Sequence, residues 1–127
     1  MWAMDRFTVR NGGRVSAVRA IGRVRLGALL LDVRRGGEWR EGHATAAVHI
    51  PLDELQDRMG SLPVQRPVVV LCRNGARSRT AARMMARQGY DACSVRGGLA
   101  AWAAAGGPVT VGRPIDSAAI ALHVGRH

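Results

Sequence analysis

Apolar residues along this chain fall into two patterns. The first is the continuous run: "ALLLDV" (Ala28 to Val33), "PVVVL" (Pro67 to Leu71) and "DACSV" (Asp91 to Val95). Runs of this length, without polar alternation, predict strands buried on both faces, as in a parallel sheet. The second is helical spacing. "LDELQDRM" (Leu52 to Met59) puts Leu52, Leu55 and Met59 on one face, and Gly60 and Pro63 close it. "SRTAARMMARQG" (Ser78 to Gly89) sets Ala81, Ala82 and Met85 inward and Arg79, Arg83 and Arg87 outward, with Gly89 just past its end. "GLAAWAAAGG" (Gly98 to Gly107) predicts a third helix.

The remaining segments are less periodic. "RFTVR" (Arg6 to Arg10) suggests a short strand, "NGG" (Asn11 to Gly13) a turn, and "RVSAVRAIGRVRLG" (Arg14 to Gly27) a helix weakened by Gly22. The long connection Arg34 to Pro51 predicts a short turn around Glu38–Arg40 and a short strand at Ala47–His49. In the tail, "DSAAIALHV" (Asp116 to Val124) suggests a short helix with Asp116 as N-cap. Strands alternating with helices predict an α/β domain with a central, mainly parallel sheet flanked by helices. Ligands of such sheets sit outside the carboxyl ends of the strands, where Asp32 and the Cys72 loop fall.

Composition adjusts this outline. The 127 residues suffice for one domain with a real core. The chain divides into an extension over residues 1–27, the domain over 28–110 and a tail over 111–127. No apolar run reaches the roughly 18 residues of a membrane span, so no membrane partner is expected. The N-terminus lacks an apolar stretch with a small-residue cleavage site and reads as mature protein. Two cysteines, Cys72 and Cys93, do not make a disulfide framework and favour a reducing cytoplasm.

The formal net charge is +10, from 19 basic residues that are all arginine against 9 acids. The plain reading of arginine over lysine is codon bias, and composition alone does not choose between it and a functional one. Attraction for a small oxyanion, an acidic partner or a nucleic acid is the functional reading. Base-stacking aromatics interleaved with arginine are absent, which argues against nucleic acid.

The densest chemistry lies in "VVVLCRNGARSRTAARMMARQG" (Val68 to Gly89). A strand delivers Cys72 to the sheet edge, "RNGAR" turns the chain, and a helix leaves at once. Such a turn points successive backbone N–H groups and the helix N-terminus into one bowl. Asn74 and Gly75 tolerate the backbone angles the turn needs. Arg73, Arg77 and Arg79 add positive charge, and all these terms favour a thiolate. The plain alternative is that Cys72 is an apolar strand end.

At these residues the chain resembles the single-domain rhodanese-like sulfurtransferases. The resemblance is carried by "LLLDVR" (Leu29 to Arg34), "EWREGH" (Glu38 to His43), "HIPLDEL" (His49 to Leu55), "VVVLCRNGARS" (Val68 to Ser78), "AARMMARQGY" (Ala81 to Tyr90) and "VRGGLAAWAAAGGPV" (Val95 to Val109). It implies the rhodanese-like three-layer α/β fold. It also gives meaning to loop length: sulfurtransferases of this fold carry Cys-x4-Arg and the related phosphatases and arsenate reductases Cys-x5-Arg. Here four residues separate Cys72 from Arg77, and Ser78 stands where a phosphatase would need arginine.

The implied mechanism is covalent sulfur transfer. Cys72 takes a sulfane sulfur from an anionic, thiosulfate-like donor and passes it to a thiol, cyanide or protein acceptor. The persulfide itself is the intermediate, and no cofactor or metal is called for. Backbone amides of Arg73, Asn74, Gly75, Ala76, Arg77 and Ser78 would hold the persulfide. Arg73 and Arg77 would receive the donor, and Ser78 would cap the helix and contact the sulfur. Asp32 and Arg34 are expected to order the loop from behind, with Arg34 and Glu38 as ion-pair partners.

The alternative is a sulfur-relay or interaction module of the same fold with little small-molecule turnover. A monomer is expected. Cys93 is expected to be a core thiol. His43 and His49 lack further ligands at zinc spacing. Trp102 is expected to pack. "ATAAVHIP" after His43 departs from the family pattern, which usually has Gly-Ala there, so the local turn is open.

Overall fold

The computed structural model describes residues 12–111. The strand at 6–10, the tail helix at 116–124, and His123 and His127 lie outside the described residues. Five parallel strands form the central sheet: β1 (Arg14–Val15), β2 (Leu29–Asp32), β4 (Val48–His49), β5 (Val68–Leu71) and β6 (Ala92–Val95), in the order β1-β6-β5-β2-β4. Every residue of β2, β5 and β6 is buried, as their continuous apolar runs required.

Alternation along each strand divides the core in two. Leu29, Leu31, Val68, Val70, Cys72 and Ala92 point to one face, packing with Leu55, Met59, Ala81, Ala82 and Met85. Leu30, Val69, Leu71, Cys93 and Val95 point to the other, packing with Ala17, Ala20, Ile21 and Trp102. The first face is covered by α3 (Leu52–Arg58) and α4 (Ala76–Arg87), the second by α1 (Ala17–Arg25) and α5 (Gly98–Ala104). Burying each Leu or Val side chain fully contributes about 1.5–3 kcal/mol, so the three central strands anchor the fold.

Several local expectations change. The segment from Arg14 to Gly27 is not a helix throughout. Its first two described strand residues pair with Ser94 and Val95, and Ser16 then caps α1 by accepting from the Arg19 amide at 3.2 Å. Thus part of residues 1–27 supplies a sheet edge and one covering helix. The turn at Glu38–Arg40 is a full helix, α2 (Gly36–Glu41), begun where the Glu38 carboxylate accepts the Arg35 amide at 3.0 Å. A small antiparallel pair, β3 (His43–Ala44) with β7 (Val109–Thr110), was not legible, because two residues carry no periodicity. A 3-10 turn (Met59–Ser61) ends α3, and the buried Tyr90 hydroxyl donates to its Met59 carbonyl at 2.7 Å.

Candidate active site around Cys72

β5 ends at Leu71, so Cys72 is the first residue past the carboxyl end of a central strand, as expected. It is wholly buried. Gly75 has φ 101°, a conformation that favours glycine, and it turns the chain back so that its own N–H donates to Cys72 Sγ at 2.9 Å. The Asn74 side chain accepts the Ala76 amide at 3.0 Å, an Asx-type closure of the same turn. The amides of Arg77 and Ser78 lie in the first helical turn and have no intrahelical acceptor. Of the six loop residues expected to cradle the sulfur, Gly75 therefore contacts it through its amide now, while Ala76 spends its amide on Asn74.

Ser78 is not the helix cap. Because Gly75 reverses the chain early, α4 starts at Ala76, with Gly75 as N-cap and Ser78 already inside the first turn. Its hydroxyl donates to the Gly75 carbonyl at 3.1 Å and sits 3.4 Å from Cys72 Sγ, where it accepts from the thiol. The expected contact with sulfur is thus present.

Behind the loop, Asp32 and Arg34 form a buried ion pair. The Arg34 side chain donates to Asp32 at 2.9–3.0 Å, the Arg34 amide adds a bond at 2.9 Å, and Nη2 also donates to the Gly42 carbonyl at 2.6 Å. Asp32 and Arg34 are 0% and 5% exposed, so each charge depends on the other. The pair ties the end of β2 to the end of α2.

Arg77 departs from the expected role. Its guanidinium does not stand free above the sulfur. It grips Glu38 with two parallel bonds, Nη1 to Oε1 at 2.8 Å and Nη2 to Oε2 at 2.9 Å. These bonds hold the Glu38 carboxyl down at about 2, and the carboxylate in turn raises Arg77. α2 is itself clamped: the Trp39 ring stacks on His43 with centroids 3.6 Å apart and lies 4.7 Å from His49 on near-parallel planes. His43 Nδ1–H donates to the Trp39 carbonyl at 2.8 Å, and His49 Nε2–H to the Arg34 carbonyl at 2.7 Å. Both histidines are thereby occupied in holding α2.

Two clefts flank the Glu38–Arg77 pair. One, of about 390 Å³, is lined by Arg34, Glu38, Glu41, Arg73, Leu99 and Val109 among others. The other, of about 490 Å³, is lined by Val33, Arg35, Leu52 and Arg77 among others. Arg73 is exposed at the first. Arg79, expected to add charge at the loop, lies beside Arg14 and Arg83, whose like charges lower it while it stays cationic.

Sequence reasoning missed Gly98. It has φ +61°, and a Cβ there would overlap the Cys72 and Arg73 carbonyl oxygens. The next amide, of Leu99, donates to the Cys72 carbonyl at 2.9 Å. Only the double glycine at 97–98 hinted at this close approach. Cys93 is 1% exposed and faces the opposite layer from Cys72. Burial pushes its thiol up to about 11, although Arg23 Nη1 donates to it at 3.3 Å. It is a core thiol.

The model of the rhodanese-like domain matches residues 17–105. The chain belongs to the rhodanese-like family. A sulfurtransferase of Allochromatium vinosum is 39% identical over 82 residues, covering 64% of this chain and 77% of the relative. The thiosulfate sulfurtransferase GlpE of Shewanella oneidensis is 34% identical over 74 residues, covering 58% of this chain and 73% of the relative. A rhodanese-related protein of Thermoplasma volcanium superposes with a TM-score of 0.72 at 26% identity, covering 78% of this chain and 98% of that one. The match begins at Ala17, so it includes α1. Family and relatives together make this chain a rhodanese-type sulfurtransferase in its general class.

Proposed function

We propose that the rhodanese-like domain moves a sulfane sulfur through a persulfide on Cys72. The observation that carries this reading is the contact of the Gly75 amide with Cys72 Sγ, at the floor of a Cys-x4-Arg turn opening on a helix N-terminus. The Cys72 thiolate attacks the outer sulfur of a donor such as thiosulfate. A Sγ–S bond forms, the donor's S–S bond breaks, and sulfite leaves with the electron pair. An acceptor thiolate or cyanide then attacks the outer sulfur of the persulfide, and Cys72 thiolate is released.

The residues divide the work. The Gly75 amide and the open amides of Arg77 and Ser78 stabilise the anionic outer sulfur, as an oxyanion hole stabilises oxygen. Ser78, whose hydroxyl is within reach of the sulfur, orients it. Arg73 meets the donor at the mouth. Asp32 and Arg34 hold the end of β2 to the end of α2, beside the loop. Cys93, on the other side of the sheet, takes no part. Two free thiols suit a reducing compartment such as the cytoplasm.

Intact mass spectrometry after incubation with thiosulfate tests the reading. The protein gains the mass of one sulfur atom, Cys72→Ser abolishes the gain, and Cys93→Ser retains it. Sulfur retained on Cys72→Ser overturns the assignment.

A further inference from the structure

The seam between β1 and α4 holds charges and polar atoms that the Cys72 site does not use. Three buried side-chain polar atoms have no hydrogen-bond partner among the described residues, and two of them, Ser94 Oγ and Arg79 Nε, belong to elements that pack together here, β6 and α4. Ser94 is wholly buried. Its neighbours Cys93 and Val95 point to the layer of α1 and α5, and Ala92 points to the layer of α4, so alternation along the strand turns the Ser94 hydroxyl toward α4. Arg14 is the register partner of Ser94 on β1 and shares that face. α4 comes down onto the same edge: a Cβ on Gly12 would stand 3.1 Å from Arg83 Cγ. Arg79, one turn before Arg83, feels the like charges of both Arg14 and Arg83.

Three guanidinium groups therefore gather beside one buried hydroxyl. None of the three is paired with a carboxylate among the described residues, whose ion pairs lie at Arg34, Arg58 and Arg77. Buried donors left unpaired are costly, and crowded like charges add to the cost. Water would satisfy the donors and leave the repulsion; an anion answers both. Donors stand at the floor, on Ser94, and on two walls, the strand and the helix. The ion that fits them carries oxygens on several sides and more than one negative charge. We infer that this seam binds a tetrahedral oxyanion, a phosphate or sulfate group, through the Ser94 hydroxyl and the Arg79 guanidinium, with Arg14 and Arg83 contributing charge from either side. The site is distinct from the sulfur loop: Ser94 pairs in register with Val70, two residues short of Cys72. It calls for no chemistry at the thiol.

Inorganic phosphate and sulfate are the probes. Each is titrated into the full chain, and backbone amide shifts are read by two-dimensional NMR against sodium chloride of matched ionic strength. The shifts saturate and centre on Gly12 to Val15, Arg79 to Arg83 and Ser94. Ser94→Ala and Arg79→Gln each weaken the affinity about tenfold, since each removes a hydrogen bond to a charged group. Arg14→Gln removes a nearby charge and weakens it about threefold. Arg25→Gln, on α1 across the sheet, takes away the same charge and leaves the affinity unchanged. Ser94→Ala loads Cys72 with sulfur at the wild-type rate. Adenosine monophosphate separates the sources: tighter binding than inorganic phosphate points to a phosphate ester, weaker binding to the free ion.

Shifts no larger than those with chloride overturn the inference. So do shifts confined to Gly75, Arg77 and Ser78, which would place the ion in the Cys72 loop. Equal affinity in the wild type, Ser94→Ala and Arg79→Gln overturns it as well, because only diffuse charge would then be at work. If Ser94→Ala or Arg79→Gln does not fold, Arg14→Gln, at an exposed position of β1, decides in their place, and an unchanged affinity there overturns the inference. A Cys72 that takes up no sulfur leaves these outcomes as they are, so this inference and the sulfurtransferase reading fail separately.

Discussion

Gly98 lies against Cys72: a Cβ on Gly98 would overlap the Cys72 carbonyl oxygen, and the Leu99 amide that follows donates to that same oxygen at 2.9 Å. The start of α5 is therefore part of the wall that holds the sulfur loop. Gly98→Ala meets both the overlap and the cost of φ +61° for a residue with a side chain. Left-handed backbone of this kind costs on the order of 1–3 kcal/mol before any overlap. The expected outcome is a lower melting temperature and slower loading of Cys72 with sulfur. An unchanged melting temperature would show that the loop has room the structure does not give it.

The buried pair behind the loop has a larger effect on stability. Asp32→Asn leaves the Arg34 guanidinium charged, 5% exposed and without its carboxylate. Breaking one side of a buried pair costs about 3–5 kcal/mol. Urea unfolding measures this, and Asp32→Asn/Arg34→Gln recovers part of the loss because no lone charge remains. A single mutant as stable as the wild type would contradict the burial of the pair.

Cys93 makes stability fall on the alkaline side. Its thiol moves from 9.0 to about 11 on folding, chiefly through burial. Between these values the unfolded chain has released the proton and the folded chain has kept it, so stability is complete below about 9 and declines as pH rises toward 11. A shift of this size corresponds to roughly 2–3 kcal/mol. Cys93→Ala flattens the pH dependence in that window, as thermal unfolding from pH 8 to 11 will read. At pH 8 iodoacetamide leaves Cys93 of the native protein unmodified and reaches it in the unfolded one.

Glu38 acts on the acid side with the opposite sign. Its folded carboxyl is lowered from 4.5 to about 2 by the Arg77 bonds. The stability this contributes is present above about 4.5 and is lost as pH falls through 2. Glu38→Gln removes that part of the acid dependence, which chemical unfolding between pH 5 and 2 checks. Identical slopes in the two proteins would show that the pair is not formed in solution.

Much of the site was readable before the fold was known. The β5 run, the turn residues Asn74 and Gly75, and the helix that follows are contiguous, so strand, loop and N-terminus follow from local chemistry. α4 starts two residues before the Ser78 that the sequence predicts, because Gly75 reverses the chain. The sequence predicts only a turn for α2 because its six residues present no buried face, and what holds it is the stacking of Trp39 on His43 and His49. β3 and β7 pair only because the fold brings residues some 65 positions apart together, as the Thr45–Thr110 hydroxyl bond at 2.8 Å illustrates.

By itself the sequence determined the α/β order, the buried strands and the four-residue spacing from Cys72 to Arg77. Periodicity, turn preference and loop length are properties of neighbouring residues, and they survive without a partner. Tertiary structure decided the charge of the site. Arg77 lies 39 positions from Glu38 in the chain and within 2.8 Å of it in space. Electrostatic pairing falls off within several ångströms in water, so Arg77 gained its carboxylate only when α2 was folded against the loop.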